Sequence, residues 1–366
     1  MRILFIVLVV LHGLIHLSGT LKGLGLKDMK ELTLPISKSM GFLWMVVAVL
    51  LVVYALLFIS NNRFAWLIGL VAAILSQILI VVYWKDARFG TIPNLLIIIV
   101  SMIGLGSFLI QNEFTSAVKH DFLHNNLKNT ELLTRKDIAH LPTVVQKYLI
   151  YTRSVGQPKI KNFRVEFTGG MRGKPGEKYM LLHSVQYNFC QNPSRYFFME
   201  AMKAGLPATG LHLYREGKAT FVVKMLNWLK VVDAKGHKLD QAETVTLFND
   251  MCCIAPATLI DPNISWESVN ERQVKATYTN GSHTIRAMLY FSDKGELVNF
   301  ISRDRYETDG KSYKNYPWAT PLEDYKLING YMLPGKAKLI YQKPGGDFTY
   351  GELEYKSLEY NLEEID

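Results

Sequence analysis

Two histidines in the first apolar run have a spacing that could support binding or proton transfer inside a membrane. His12 and His16 lie four residues apart, so a helix would present both on one face. Gln77, Asp86 and Asn94 occur in or beside later apolar runs, near the same end of the helices that those runs predict. Polar side chains within hydrocarbon are costly and often functional. We predict that His12, His16, Gln77, Asp86 and Asn94 converge on a polar pocket that binds a ligand.

Hydrogen bonding between helices is an alternative explanation for the same five residues, and it needs no ligand. Two histidines at this spacing could also share a metal ion, but the sequence supplies no clear third ligand, so we expect no metal. A glycine-rich phosphate loop is absent from the sequence, and we expect no cofactor.

A second group of titratable residues lies in the C-terminal half of the chain, and it comprises His183, His212, His237, His283, Asp240, Glu243 and Asp250. The three-residue spacing of Asp240 and Glu243 is typical of a capping box at a helix start. The sequence contains neither a nucleophile elbow nor a His-Glu-x-x-His pattern. We therefore assign no catalytic residue and favour a role other than catalysis.

Four apolar runs define the N-terminal part, at residues 3–19, 41–59, 64–84 and 92–110. About 20 residues of helix span the ~30 Å of bilayer hydrocarbon, and a buried backbone there must form its hydrogen bonds within the helix. The first run is interrupted by two histidines and is followed by no small-residue cleavage site, which favours a retained helix over a signal peptide. We predict a four-helix membrane region at residues 1–111.

The charges in the loops predict an orientation, because Lys and Arg concentrate on the cytoplasmic side. Loops one and three carry Lys22, Lys27, Lys30, Lys38, Lys85 and Arg88, and the other side carries Arg2, Arg63, Lys119 and Lys128. This balance places the C-terminal domain outside the cytoplasm. Cys190, Cys252 and Cys253 lack a metal-ligand pattern and read as small buried residues, although free thiols are more typical of a reducing cytosol.

Beyond a predicted linker at residues 112–140, residues 141–366 have the pattern of an α+β domain with a large curved antiparallel sheet. Phe163, Val165 and Phe167 alternate with polar residues, as in a half-buried strand. Similar segments predict roughly ten antiparallel strands, and Asn280-Gly281 favours a hairpin. A helix over 238–253 would pack Val245 and Phe248 on the sheet. The concave face is rich in Tyr, Phe and Met, so it forms either a core or a cleft for a lipid.

The formal net charge of +9 is spread along the chain without a Lys/Arg tract. Sequence-specific or backbone binding to nucleic acid depends on such a basic footprint. We therefore expect no nucleic-acid partner.

Several segments are similar to a prokaryotic family catalogued as a domain of unknown function, namely Leu141–Tyr148, Gly205–Pro207, Ala242–Met251, Ala255–Asp261 and Pro317–Trp318. Some members of that family resemble this chain in having an N-terminal membrane region. The resemblance implies the two-part architecture, but it implies no activity and no catalytic residue. In strand-and-helix order, the C-terminal half also resembles periplasmic lipoprotein-carrier folds.

These observations predict an integral membrane protein whose β-rich domain binds an apolar or lipid-like ligand at the extracytoplasmic membrane surface, with membrane lipid as its neighbour. One alternative is a transport or catalytic step at the five polar residues of the membrane region. Another is a structural or partner-binding membrane protein. A continuous apolar cavity in the β-rich domain would favour the first function, hydrogen-bond contact among the five polar residues the second, and an exposed apolar patch on a sheet without a cavity the third.

Overall fold

The computed structural model describes residues 2–125 and 131–365. Its contacts divide the chain into two compact units, Met1–Ile110 and Gln111–Asp366. Lys128, which entered the charge count, and the 126–130 part of the predicted linker lie outside the described residues.

The described residues of the N-terminal unit are mainly helical. The helices are α1 (Arg2–Gly23), α2 (Lys38–Ile59), α3 (Ala65–Val82), α4 (Trp84–Ala87), a 3-10 turn (Arg88–Gly90) and α5 (Thr91–His124), which continues into the second unit. Four segments of the described chain are long and apolar enough to cross a membrane: Arg2–Gly23, Lys38–Ile59, Ala65–Val82 and Trp84–His124. The four predicted apolar helices are therefore confirmed as helices, and α5 extends into the stretch predicted as a linker.

Glycine allows α1 and α2 to pack closely. A methyl group on Gly23 would lie 2.5 Å from the Cα of Gly41, and one on Gly19 would collide with the ring of Trp44. Small residues at helix contacts let backbones approach, and this increases van der Waals contact where no hydrophobic effect drives helices together. The close approach brings the buried faces of α1 and α2, including His12 and His16, into one core.

The described residues of the C-terminal unit form three further helices and a 3-10 turn: α6 (Arg135–Ile138), α7 (Thr143–Tyr151), α8 (His237–Cys253) and Pro256–Ile260. Its strands are β1 (Asn162–Met171), β2 (Met180–Phe189), β3 (Ser194–Lys203), β4 (Leu206–Arg215), β5 (Lys218–Met225), β6 (Leu229–Lys235), β7 (Ile264–Asn270), β8 (Gln273–Asn280), β9 (His283–Phe291), β10 (Leu297–Ser302), β11 (Tyr306–Thr308), β12 (Tyr313–Asn315), β13 (Trp318–Ala319), β14 (Leu322–Ile328), β15 (Tyr331–Lys343) and β16 (Gly346–Tyr360).

Within the described residues, fourteen of these strands form one sheet in the order β6-β5-β4-β3-β2-β1-β16-β15-β13-β10-β9-β8-β7, with β14 beside β15. Neighbouring strands run antiparallel throughout, as in β1 with β2 and with β16. The predicted α+β class with a large antiparallel sheet is confirmed. The sequence pattern missed β6 and β14, whose side chains are mostly exposed and therefore lack a clear apolar alternation.

Helix α8 connects β6 to β7, the two edge strands of this sheet. Fourteen of its seventeen residues are buried. The sheet curves far enough for both halves to meet the helix: the hydroxyl of Tyr214 on β4 lies 2.7 Å from Thr244 of α8 and accepts a 2.9 Å hydrogen bond from Asn280 of β8. The sheet therefore surrounds α8 and does not merely support one face of it.

The face of α8 that packs solidly is the one the sequence predicted. Phe248 stacks on Tyr278 of β8 at 5.2 Å between ring centroids and contacts Phe300 of β10. Val245 and Cys252 lie on the same helical face and are fully buried. Apolar contact along this face fixes the orientation of α8 about its own axis, and so decides which residues point the other way.

Candidate functional sites

Four of the five residues predicted to converge in the membrane region do come together in the N-terminal unit. The Nε2 atom of His12 lies 2.9 Å from Oδ1 of Asn94, and the amide of Asn94 donates to Oε1 of Gln77 at 3.0 Å. His16 joins them through Ser76, whose hydroxyl lies 2.9 Å from Nε2 of His16 and 3.2 Å from Nε2 of His12. We name this set, with Thr91, the polar network.

The hydrogen bonds of the polar network form one consistent chain with both imidazoles neutral. Nδ1 of His16 lies 2.9 Å from the carbonyl oxygen of His12, so it carries the proton, and Nε2 of His16 accepts from Ser76. His12 then donates from Nε2 to Ser76 and Asn94. At the other end, Gln77 donates to Thr91 at 3.2 Å. These side chains satisfy one another across α1, α3 and α5.

Asp86 forms its hydrogen bonds with residues outside the polar network. Its carboxylate accepts hydrogen bonds from the hydroxyl of Thr33 at 2.8 Å and from the backbone N–H of Leu34 at 3.0 Å. It therefore ties the loop between α1 and α2 to the α3–α5 connection. That His12, His16, Gln77, Asp86 and Asn94 bind a ligand stays a prediction.

Sequence reasoning overlooked Ser76, and it interpreted Thr91 only as the cap of a helix and not as a member of the polar network. Ser76 directly precedes Gln77 in an otherwise apolar run, and that adjacency was the available signal for a polar position on α3. Ser76 is fully buried and is the residue that links the two histidines.

The C-terminal unit contains a cavity of about 730 Å³ between α8 and the concave face of the sheet. Its wall is largely apolar and aromatic, and includes Phe167, Leu182, Phe197, Met199, Phe221, Val223, Met225, Leu339, Phe348 and Tyr355. Strand alternation places these side chains on one face: on β5, Phe221, Val223 and Met225 line the cavity while Val222 and Lys224 do not. Ligand pockets commonly enclose ~300–1,000 Å³, so this cavity could hold a small molecule.

A buried ionic cluster forms one wall of this cavity. Arg195 of β3 donates from Nε to Asp250 at 2.7 Å and from Nη1 to Glu243 at 3.3 Å, and both acids belong to α8. Side-chain exposure is 8% for Arg195, 2% for Glu243 and 10% for Asp250. Strand register supplies the remaining partners, because Asn188 of β2 lies opposite Arg195, and Asn188 and Gln186 both donate to Asp250.

The capping-box interpretation of Asp240 and Glu243 is wrong. Helix α8 begins at His237, so Asp240 lies within its first turn and accepts a 2.7 Å hydrogen bond from the backbone N–H of Ala219. Glu243 instead faces Arg195 and the imidazole of His212, whose Nδ1 lies 3.4 Å away. The signal that could have revealed the cluster is the seven-residue spacing of Glu243 and Asp250, which places both on one helical face.

The environments of the two acids shift their pKa values in opposite directions. Burial alone would raise the pKa of Glu243, but His212, Arg195 and Arg305 outweigh burial and lower that pKa to about 2. Burial raises the pKa of Asp250, and Arg195 and Asn188 only partly offset it. Of the two acids beside Arg195, Glu243 is therefore the one whose surroundings favour the ionised form more strongly.

The other titratable residues singled out in the sequence are spread over the C-terminal unit. Nε2 of His183, on β2, lies 2.9 Å from the carboxylate of Glu166 on β1. His237 and His283 are neighbours, with ring centroids 5.1 Å apart, and Nε2 of His283 lies 3.9 Å from Asp240. Of these histidines, only His212 lines the cavity. The three cysteines are free thiols, and Cys252 and Cys253 are buried.

Comparisons with known proteins concern mainly the C-terminal unit. A family model described as "Family of unknown function (DUF6544)" matches residues 131–353. Among solved structures, a LolA superfamily protein from Nitrosomonas europaea is similar at 11% sequence identity, over 60% of this chain and 94% of that chain, with a TM-score of 0.31. We infer nothing about a ligand from so low a TM-score. No curated protein sequence matches the chain.

Replacing Ser76 by Ala should weaken the N-terminal unit, because both histidines lose the hydroxyl that links them. Hydrogen bonds between membrane helices contribute about 1 kcal/mol each, so we expect a loss of roughly 1–2 kcal/mol in SDS-driven unfolding of the full chain in mixed micelles. Ser18→Ala is the control, since Ser18 is only partly buried on α1. Equal stability of the two variants would contradict the role of Ser76.

Replacing Arg195 by Met should destabilise the C-terminal unit strongly, because Glu243 and Asp250 would stay buried without their cation. Removing one partner of a buried ion pair costs about 3–5 kcal/mol. Denaturant unfolding of the full chain, followed by tryptophan fluorescence, measures the loss. Arg215→Met on the neighbouring strand is the control: the Arg215–Glu216 pair is exposed, and its loss should cost under about 1 kcal/mol. A small effect at Arg195 would show that the cluster is not held by this cation.

Proposed function

Since this chain belongs to the DUF6544 family, whose function is unknown, we propose from its own geometry that the C-terminal unit binds an apolar or lipid-like ligand beside a membrane. The observation that carries the proposal is the cavity of about 730 Å³ on the concave face of the sheet. Protein interiors are close-packed and rarely leave voids much larger than a water molecule. Space of this size behind an apolar wall therefore favours a binding cleft over a packed core.

The chemistry of the cavity wall suits a flexible chain. Met171, Met180, Met199 and Met225 all line it, and methionine side chains adapt to irregular apolar partners because they are unbranched and polarisable. Each methylene group moved from water into such a wall contributes about 0.8 kcal/mol. An acyl chain would thus gain substantial binding free energy without any specific polar contact.

The proposed setting is a membrane that α1, α2, α3 and the first part of α5 cross, with the C-terminal unit on the extracytoplasmic side. The length and apolar character of these helices support the membrane, and the distribution of Lys and Arg in the loops supports the side. A ligand taken from or delivered to the lipid surface would then be sheltered from water by the sheet and α8.

A second candidate function is a transport or proton-transfer step at the polar network. The observation in its favour is the unbroken series of hydrogen bonds from Thr91 through Gln77, Asn94 and His12 to Ser76 and His16. The hydrogen bonds among these side chains equally favour a role in holding helices together, so we rank this function below ligand binding in the cavity.

Filling the cavity should weaken ligand binding. Val223→Trp places an indole in the space beside α8, while Val222→Trp places one on the opposite face of the same strand. Displacement of a fluorescent acyl probe by hexadecanol, with the full chain in nanodiscs, should be at least about tenfold weaker for Val223→Trp. It should be nearly unchanged for Val222→Trp. Equal binding by both variants would overturn the proposed site.

The proposed orientation predicts that the α2–α3 loop and the C-terminal unit can both be labelled from outside the cell. Ser60, between α2 and α3, and Lys311, between β11 and β12, are exposed. With the three native cysteines replaced by alanine, Ser60→Cys and Lys311→Cys should each react with a membrane-impermeant maleimide on intact cells. Protection of both until lysis would place the C-terminal unit in the cytoplasm.

A further inference from the structure

Arg305 lies in the cavity wall and forms no ion pair with a carboxylate of the described residues. Its Nε donates to Thr246 of α8 at 3.1 Å, and its Nη1 donates to the hydroxyl of Tyr341. The guanidinium also lies over the ring of Trp318, 4.5 Å from its centroid. Within the described residues, no carboxylate forms an ion pair with Arg305, and its Nη2 donates to none of the described groups.

The neighbouring acids are already engaged by a different cation. Arg195 uses Nε for Asp250, Nη1 for Glu243 and Nη2 for Gln186. Glu243 and Asp250 influence Arg305 only from longer range. A guanidinium has five N–H donors in a planar fork, so Arg305, which lines the cavity, retains N–H donors that no described carboxylate accepts.

The whole cavity has an excess of positive charge. Among its described lining residues, five are cationic and three are acidic: Arg172, Arg195, Lys203, Arg305 and Lys336 against Glu243, Asp250 and Glu307. Glu307 is paired with Lys343 at 2.7 Å, and Lys336 is paired with Asp324 at 3.3 Å and lies 3.7 Å from Glu354. Setting these two pairs aside leaves four cations against two acids in the lining. Apolar surroundings strengthen the attraction between an unpaired cation and an incoming anion, because the effective dielectric constant is low there.

We propose that the ligand is an anionic amphiphile, whose carboxylate or phosphate group binds Arg305 and whose acyl chain lies along the apolar wall. This inference rests on the proposed function and specifies the chemical class of its ligand. The fork of the guanidinium matches the two oxygens of a carboxylate or phosphate. Stacking on Trp318 and the hydrogen bond to Thr246 hold the plane of the fork before the ligand arrives.

The test compares ligands that share a sixteen-carbon chain and differ in head group: hexadecanoate, hexadecyl phosphate and hexadecanol, with inorganic phosphate as a head group without a chain. Each competes with a fluorescent acyl probe for the full chain in nanodiscs at pH 8, where the carboxylate is ionised. We expect both anionic amphiphiles to bind at least about tenfold more tightly than hexadecanol does. Inorganic phosphate should not displace the probe, since it gains nothing from the apolar wall.

Three variants locate the anion. Arg305→Met should bring the affinity ratio of hexadecanoate to hexadecanol close to one, and Arg305→Lys should restore part of it because the charge returns without the fork. Arg303→Met, an exposed position on the same segment, should leave the ratio unchanged. Unfolding midpoints measured for each variant separate a lost head-group contact from a lost fold.

Each other outcome has a distinct meaning. Equal affinity of the wild-type chain for hexadecanoate and hexadecanol, with binding blocked by Val223→Trp, would overturn the anion site and leave the proposed function standing. A ratio that falls in Lys203→Met and not in Arg305→Met would overturn Arg305 as the anion partner and place the head group at an exposed lysine. Binding of none of the amphiphiles would overturn both proposals.

Discussion

The ionic contact of Arg195 with Glu243 and Asp250 is the interaction on which the C-terminal unit depends. Helix α8 joins the two edge strands β6 and β7, and both halves of the curved sheet contact it. A helix in that position buries all its faces, and two carboxylates are buried with it. Buried charges are tolerated when they are paired and hydrogen-bonded. Arg195, with Gln186 and Asn188, provides that pairing from β2 and β3.

The two faces of α8 produce two different interiors from one sheet. Val245, Phe248 and Cys252 pack against the β7–β10 half, where aromatic rings fill the space. Glu243, Thr246, Asn249 and Asp250 face the other half and border the cavity. Polar groups on a helix cannot be covered by apolar side chains without losing hydrogen bonds. The polar residues of α8 that pair with Arg195 therefore also form the polar part of the cavity wall.

The two units differ in how their buried polar side chains are paired, and the difference bears on function. In the N-terminal unit, the side chains of the polar network pair with one another across three helices, and such pairing stabilises helix association. In the C-terminal unit, Arg305 lines the cavity and stacks on Trp318, and no described carboxylate forms an ion pair with it. Polar side chains that are hydrogen-bonded to one another are suited to a structural role. A cation that is fixed in position beside an apolar wall, and has no ion-pair partner among the described residues, is suited to binding an anionic ligand.

The sequence by itself determined the elements of this protein, because their signals are local. Runs of about 20 apolar residues predicted four helices, strict alternation predicted β1 and most other strands, and the four-residue spacing of His12 and His16 placed them on one face. The partners of those residues depended on the tertiary structure. Only the packed helices bring Ser76 between the histidines, and only the strand register and the curvature of the sheet bring Arg195 of β3 to Glu243 and Asp250 of α8. Arg305 gave no local signal, since its cavity is formed by residues far apart in the chain.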